Sequence, residues 1–312
     1  MEESVRFLKE ISGTVDVIFH ADCDGCCSGA IMLAFLKQKD VKAVPVAVDL
    51  EEEFFSSLGN ADYTVILDLA IDHYKEWISH LKKGHVLVID HHVIRNNLNK
   101  LGFIHVNPRF GDPNLYTSAS MVTHDVCRKA GLNVLEWVGK VGAVGDRALK
   151  GDEKEKTAAY MVDAVKAIRK EKGLVSLAKH LSRCESIDEF LKEDKYVNLK
   201  ETLESELEKQ IALFDITSSG EIVFFEVKSR YSITAILSSM LSDMYPKKTI
   251  MIFTKKGDIY KVSGRSQKYN LAEAFEKASN GIGKGGGHPA AAGATVNDVF
   301  AFKARLEKLL KK

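Results

Sequence analysis

The chain lacks any apolar run near the roughly 20 residues that a membrane span requires. Its opening Met1-Glu2-Glu3-Ser4 has none of the character of a secretory leader. A cytoplasmic protein with no membrane partner is therefore the expectation. Cysteine is scarce, with five in 312 residues. Three of these crowd at Cys23, Cys26 and Cys27 and form no disulfide framework, which suits a reducing compartment. No second Cys or His pair stands at zinc-finger spacing, so these three read as small buried residues beneath a turn. Internal repeats are also absent. With 45% hydrophobic and 28% charged residues, disorder is excluded as the main state, and the length allows two domains with real cores.

Net charge is nearly lacking too, at +1, but the balance is uneven along the chain. Residues 221–312 hold sixteen Lys and Arg against eight Asp and Glu, leaving 28 against 35 in the first 220. A basic region beside an acidic one suits a polyanion gripped by one part and acted on by the other.

What is present in the first 150 residues is an alternation of short apolar runs and helical segments, which argues for βαβ units and a parallel sheet. Helices are expected at Ser28–Leu36, Glu51–Leu58, Tyr74–Leu81, Ser118–Ala130 and Val134–Val144, and several more between 151 and 213. The expected fold is α/β: a parallel-sheet domain over 1–190, a helical bridge over 191–218, and a smaller α/β domain over 219–312. The boundary is placed near Ser218-Ser219-Gly220.

Three of the apolar runs end in acids. Val15–Phe19 leads to His20, Asp22 and Asp24; Tyr63–Leu67 leads to Asp68; His85–Ile89 leads to Asp90-His91-His92. A helical segment leads to Asp146. At the carboxyl edge of a parallel sheet these residues converge on one crevice, and carboxylates packed there need a cation to offset their repulsion. An extended backbone aims Asp22 and Asp24 the same way, with Gly25 permitting the turn into the next helix. A mixed carboxylate and imidazole shell favours Mn²⁺, with Mg²⁺, Co²⁺ or Zn²⁺ as alternatives. Two such ions roughly 3.5–4 Å apart suit phosphoester hydrolysis. Asp68, alone on its strand, is the candidate bridging ligand, and Asp90 the acid that orients a histidine ring.

The second constellation runs from Gly281 to Ala294 and contains Lys284 and Gly285-Gly286-Gly287-His288. Glycines let backbone N–H groups approach a phosphate, while Lys284 and His288 add donors. The Lys-Ser/Thr ending of a nucleotide-binding P-loop is missing. His288-Pro289 and the small residues after it read as a closely packed helix. Arg265 is a candidate for a bidentate phosphate contact, and Arg109 for a substrate contact near the cleft.

These spaced motifs resemble those of the DHH phosphoesterase superfamily, named for the triplet at Asp90-His91-His92. The Gly285–His288 segment resembles that of the DHH-associated C-terminal domain. The resemblance implies two metal ions, usually Mn²⁺, held by Asp22, Asp24, Asp68, His91 and Asp146, with His92 facing the scissile phosphate. It also implies that Arg265, Gly286, Gly287 and His288 hold the substrate's nucleotide or terminal phosphate across an interdomain cleft. His20 precedes Asp22 by two residues, whereas family II inorganic pyrophosphatases place their first histidine four before the first aspartate. This spacing is closer to RecJ-like and archaeal exonuclease members, and it leaves direct ligation and an outer supporting role open for His20.

The expected activity is a Mn²⁺-dependent, 3′-to-5′ exonuclease on single-stranded nucleic acid or oligonucleotides. The rivals are a nanoRNase, a 3′-phosphoadenosine 5′-phosphate phosphatase or a cyclic dinucleotide phosphodiesterase. A non-catalytic replication scaffold is a third class, and the retained acids argue against it. DNA repair or replication proteins are conceivable partners with no residue-level warrant, and the sequence sets no oligomeric state.

Overall fold

Five apolar runs become the strands of one sheet: β1 (Thr14–His20), β2 (Lys42–Val48), β3 (Tyr63–Leu67), β4 (Val86–Ile89) and β5 (Ile104–Val106). The structure, a computed structural model, describes residues 2–132, 135–214 and 220–311. All five strands are parallel, in the order β2-β1-β3-β4-β5. Val65, Ile66, Leu67 and all of β4 are buried, as strands covered on both faces must be. In this order the direction of winding reverses between β1 and β3, and the crevice at their carboxyl ends is where a doubly wound sheet takes its ligand.

Eight helices accompany this sheet among the described residues: α1 (Glu2–Glu10), α2 (Cys23–Gln38), α3 (Glu52–Ser56), α4 (Ala119–Ala130), α5 (Glu136–Gly145), α6 (Glu153–Leu181), α7 (Ile187–Phe190) and α8 (Asp194–Ala212). α2 is buried from Cys23 to Leu36, apolar nearly all round, and packs against α4, α5 and α6. Each large side chain it buries contributes about 1.5–3 kcal/mol. On the sheet's other face Ile18, Ile66 and Val88 meet Phe55, Ile71 and Ile78. All five cysteines are buried and free. The segment expected as a helix at Tyr74–Leu81 is instead 3-10 turns over Ile71–Ile78. Val134, the expected start of a helix, lies outside the described residues.

The chain divides into two compact units, Met1–Lys200 and Glu201–Lys312. α8 occupies most of the stretch expected as a bridge, and Ser218-Ser219 lies outside the described residues. The second unit is built on β6 (Ile222–Glu226), α9 (Thr234–Met244), β7 (Thr249–Lys256), β8 (Ile259–Arg265), α10 (Leu271–Ser279), β9 (Gly283–His288), β10 (Ala291–Val296) and α11 (Val299–Leu310). Its sheet runs β6-β7-β8-β10-β9, antiparallel except for β6 beside β7. Met251, Phe275, Phe302 and Leu306 form its core, with Phe275 and Phe302 edge to face at 5.2 Å.

Here the structure corrects one expectation. The glycine-rich segment and the small residues after it are not a loop and a helix but an antiparallel hairpin, β9 with β10. Glycine and alanine carry weak strand propensity, so pairing and packing decide. Gly285 sits where a Cβ would come within 2.8 Å of the Phe275 carbonyl of α10, and Gly287 adopts φ +144°, which side chains rarely tolerate.

Candidate metal centre

The site is assembled at the carboxyl ends of β1, β3 and β4, with further residues from α2 and from the end of α5. His20 is the last residue of β1. Asp22 follows as the N-cap of α2, its Oδ1 accepting the Gly25 amide at 2.9 Å. At Gly25 a Cβ would collide with the His20 carbonyl, so glycine is required for this turn. The helix begins at Cys23, one residue before Asp24, and the extended backbone expected between the two aspartates does not form. They diverge as a result. Asp24 turns inward, 2% exposed, and accepts the amides of Ala119 at 2.7 Å and Ser120 at 3.0 Å at the start of α4.

Asp68 caps β3 in the left-handed region, φ 60°, where a non-glycine residue stores strain of the sort that collects at functional sites. It is 2% exposed. One oxygen lies 3.2 Å from His91 Nε2, the other 3.7 Å from His20 Nδ1. His91 Nδ1 in turn faces Asp146 Oδ2 at 3.7 Å. Asp90, 1% exposed, turns away from this cluster and meets His92 Nδ1 at 2.7 Å, so its carboxylate sets that ring's orientation.

Three groups of donors each lie within 4.8 Å of one another: His20, Asp22 and Asp68; Asp24, His91 and Asp146; and Asp68, His91 and His92. Every one of the expected ligands is therefore in the cluster, and so is His20. The fit to divalent cations rests on buried atoms left without hydrogen bonds. His20 Nδ1 stands 2.7 Å from Asp22 Oδ2, whereas Asp68 Oδ2 and His91 Nδ1 are buried and make no hydrogen bond among the described residues. Buried polar atoms of that kind are rare in a folded protein unless something else meets them.

Electrostatics point the same way. Burial and the neighbouring Asp68 push the Asp24 carboxyl well above its usual range. Burial also raises Asp146. Burial opposes charge on His91, yet Asp68, Asp24 and Asp146 raise it to about 10. The imidazoles are thus drawn to positive charge by the acids packed around them.

Two site residues escaped the sequence reading. Asp49, 3.4 Å from His20 Nε2, directly follows β2, so the same strand-then-acid signal marked it. Tyr116 donates from its hydroxyl to the Asp146 carbonyl at 2.7 Å and to Asp146 Oδ2 at 3.0 Å. Nothing in its loop announced it. Arg109 lies beside the triplet, where its Nε donates to the His91 carbonyl at 2.8 Å and its Nη1 to the Pro113 carbonyl at 2.6 Å. In the second unit Arg265, Ala291 and His288 stand in one row across β8, β10 and β9, on one face of the sheet. Lys284 and Gly286 share that face of β9, and Lys284 and His288 are exposed.

Known proteins bear on this geometry in three ways. The model for "DHH family, N-terminal domain" matches residues 14–141, and that for "DHHA1 domain" matches residues 219–312. A search of curated proteins returned no match. Among solved structures, exonuclease RecJ bound to manganese is similar, with a TM-score of 0.72, 17% identity, and 99% of this chain and 94% of that one covered. RecJ with Mn²⁺ from Thermus thermophilus aligns with a TM-score of 0.73 and 17% identity over 99% of this chain, which spans only 54% of that longer protein. An exopolyphosphatase-related protein from Bacteroides fragilis aligns with a TM-score of 0.59 at 15% identity, over 100% of this chain and 98% of that one. Likeness at these identities speaks for the fold. The matched segments speak for the family, since one contains the Asp90-His91-His92 triplet and the other the Gly285–His288 strand. This chain belongs to the DHH superfamily, carries a DHHA1 domain at its C-terminal end, and is a metal-dependent phosphoesterase.

Proposed function

We propose that the chain is a Mn²⁺-dependent exonuclease that removes nucleotides from single-stranded nucleic acid or short oligonucleotides, working 3′ to 5′. The observation that carries the phosphodiesterase part is Asp68, whose two oxygens face two different sets of donors. On this reading His20, Asp22 and Asp68 would hold one divalent ion, and Asp24, His91 and Asp146 the other, with Asp68 within reach of both sets. Such a pair supplies Lewis acidity toward water and the phosphoryl oxygens. Imidazole donors favour Mn²⁺ over Mg²⁺. The RecJ-like fold and the basic residues 221–312 support a nucleic-acid substrate. Arg265, Lys284, Gly286, Gly287 and His288 are assigned to the substrate's phosphates, and Arg109 to holding the loop around His91.

His92 faces the scissile bond in this reading. Burial disfavours its charged form, but Asp90 more than compensates and raises its pKa. With Nδ1 engaged by Asp90, the proton on Nε2 is directed to the oxygen that leaves phosphorus as water adds. Asp90→Asn keeps the shape and removes the charge that holds this proton. Its expected effect is a fall in kcat of about 10–100-fold, as for other groups that orient a site histidine. Steady-state kinetics with a melting curve check this, and an unchanged kcat removes Asp90 from the mechanism.

The test of the whole reading compares an end-labelled single-stranded 24-mer with a dinucleotide, each with Mn²⁺ and with excess EDTA. Stepwise shortening of the 24-mer from its 3′ end, abolished by EDTA, is the expected result. Turnover confined to the dinucleotide would replace this reading with that of a nanoRNase.

A further inference from the structure

Arg147 directly follows Asp146, and its backbone is left-handed, with φ 60°. α5 closes with its amide bonded to the Val144 carbonyl at 3.0 Å and the Ala148 amide to Ala143 at 2.8 Å. Glycine is the usual residue at such a close, because a side chain there is strained. The turn itself makes no use of a guanidinium, and Arg147 is exposed.

Its location is held by close packing on both sides. Gly142, four residues before Asp146 on α5, lies so near α4 and α2 that a Cβ would meet Ser120 Oγ and stand 2.9 Å from Asp24 Oδ1. From the other side the Tyr116 hydroxyl grips the Asp146 carbonyl. A second cation, half-buried Lys166 of α6, acts electrostatically on Asp22 and on Asp163, and Asp163 also feels Arg147. Neither cation forms an ion pair among the described residues. Two cations thus border the acid cluster without a fixed partner. Cations so placed meet anionic groups of a ligand that the cluster does not itself engage.

We infer that Arg147, assisted by Lys166, binds a substrate phosphate other than the one being hydrolysed. This rests on the phosphodiesterase reading above and adds the requirement for a second phosphate on the substrate. It also accounts for an arginine at a position where the backbone favours glycine.

The test uses Arg147→Gly, which relieves the strain while removing the guanidinium, alongside Arg147→Lys. Each is assayed with Mn²⁺ on the single-stranded 24-mer and on bis(p-nitrophenyl) phosphate, which carries one phosphate only. For Arg147→Gly the ratio of kcat/KM on the 24-mer to that on the small diester should fall about tenfold, mostly through KM. Arg147→Lys should recover part of the ratio, and the melting temperature of Arg147→Gly should equal or exceed that of the wild type. A parallel fall on both substrates, or an unchanged ratio, overturns the inference. Should the wild type leave the 24-mer intact, the exonuclease reading fails, and the same ratio is read on a 5′-phosphorylated dinucleotide against the small diester. A wild type inactive on all three overturns both.

Discussion

Asp68→Ala is expected to lower phosphodiester turnover on the order of a thousandfold or more while leaving nucleic-acid binding largely intact. Asp68 is the group that two donor sets have in common, with one oxygen 3.2 Å from His91 Nε2 and the other 3.7 Å from His20 Nδ1. Removing it takes away the shared carboxylate and the anchor of both imidazoles together. A loss of several kcal/mol of charge stabilisation in the transition state follows, and about 4 kcal/mol corresponds to three orders of magnitude. The fold should survive. Asp68 contributes charge that pushes Asp24 toward protonation, so its removal lowers repulsion within the cluster, and alanine removes no hydrogen bond at Oδ2, which makes none. Initial rates on the 24-mer with Mn²⁺, beside fluorescence-anisotropy binding of the same strand, check both halves. Rates within tenfold of wild type would mean that the two donor sets do not depend on Asp68.

The legibility of this cluster in the sequence has a physical cause. A parallel strand covered on both faces must be apolar throughout, so Val15–Phe19, Tyr63–Leu67 and Val86–Ile89 stand out from their surroundings, and the polar residue after each is at the ligand-binding edge. The alternation of these runs with helical segments also conveyed the α/β class. Asp49 obeyed the same rule after Val48 and was overlooked. The relation between Asp22 and Asp24 was not legible, because it depends on the helix starting at Cys23 and on amides of α4 nearly a hundred residues away. Tyr116 likewise acts through a contact with Asp146 that no local pattern encodes. In the second unit Gly283–His288 runs against strand propensity, and only its pairing with β10 and its packing on α10 make it a strand.

Mn²⁺ is expected to raise the melting temperature of the first unit by roughly 5–10 °C at concentrations well above its dissociation constant, and excess EDTA to reverse the shift. Without a cation, Asp22, Asp24, Asp68 and Asp146 crowd together around two imidazoles, and Asp68 Oδ2 and His91 Nδ1 are buried without hydrogen bonds. Burial drives Asp24 and Asp146 toward their neutral forms. That is a destabilised arrangement, and an ion that binds only the folded state stabilises it by about 2.7 kcal/mol at a hundredfold excess over Kd and about 4.1 at a thousandfold. For a unit of about 200 residues each kcal/mol moves the midpoint roughly 2–4 °C. The imidazole donors set an order among ions, with Mn²⁺ acting at lower concentration than Mg²⁺. Asp68→Ala should lose most of the shift, because both donor sets lose a member. Sodium chloride at matched ionic strength separates this from general screening, which exposed charges also feel. A Mn²⁺ shift no larger than that of sodium chloride, and equal in wild type and Asp68→Ala, would show that these acids and histidines do not hold a divalent cation.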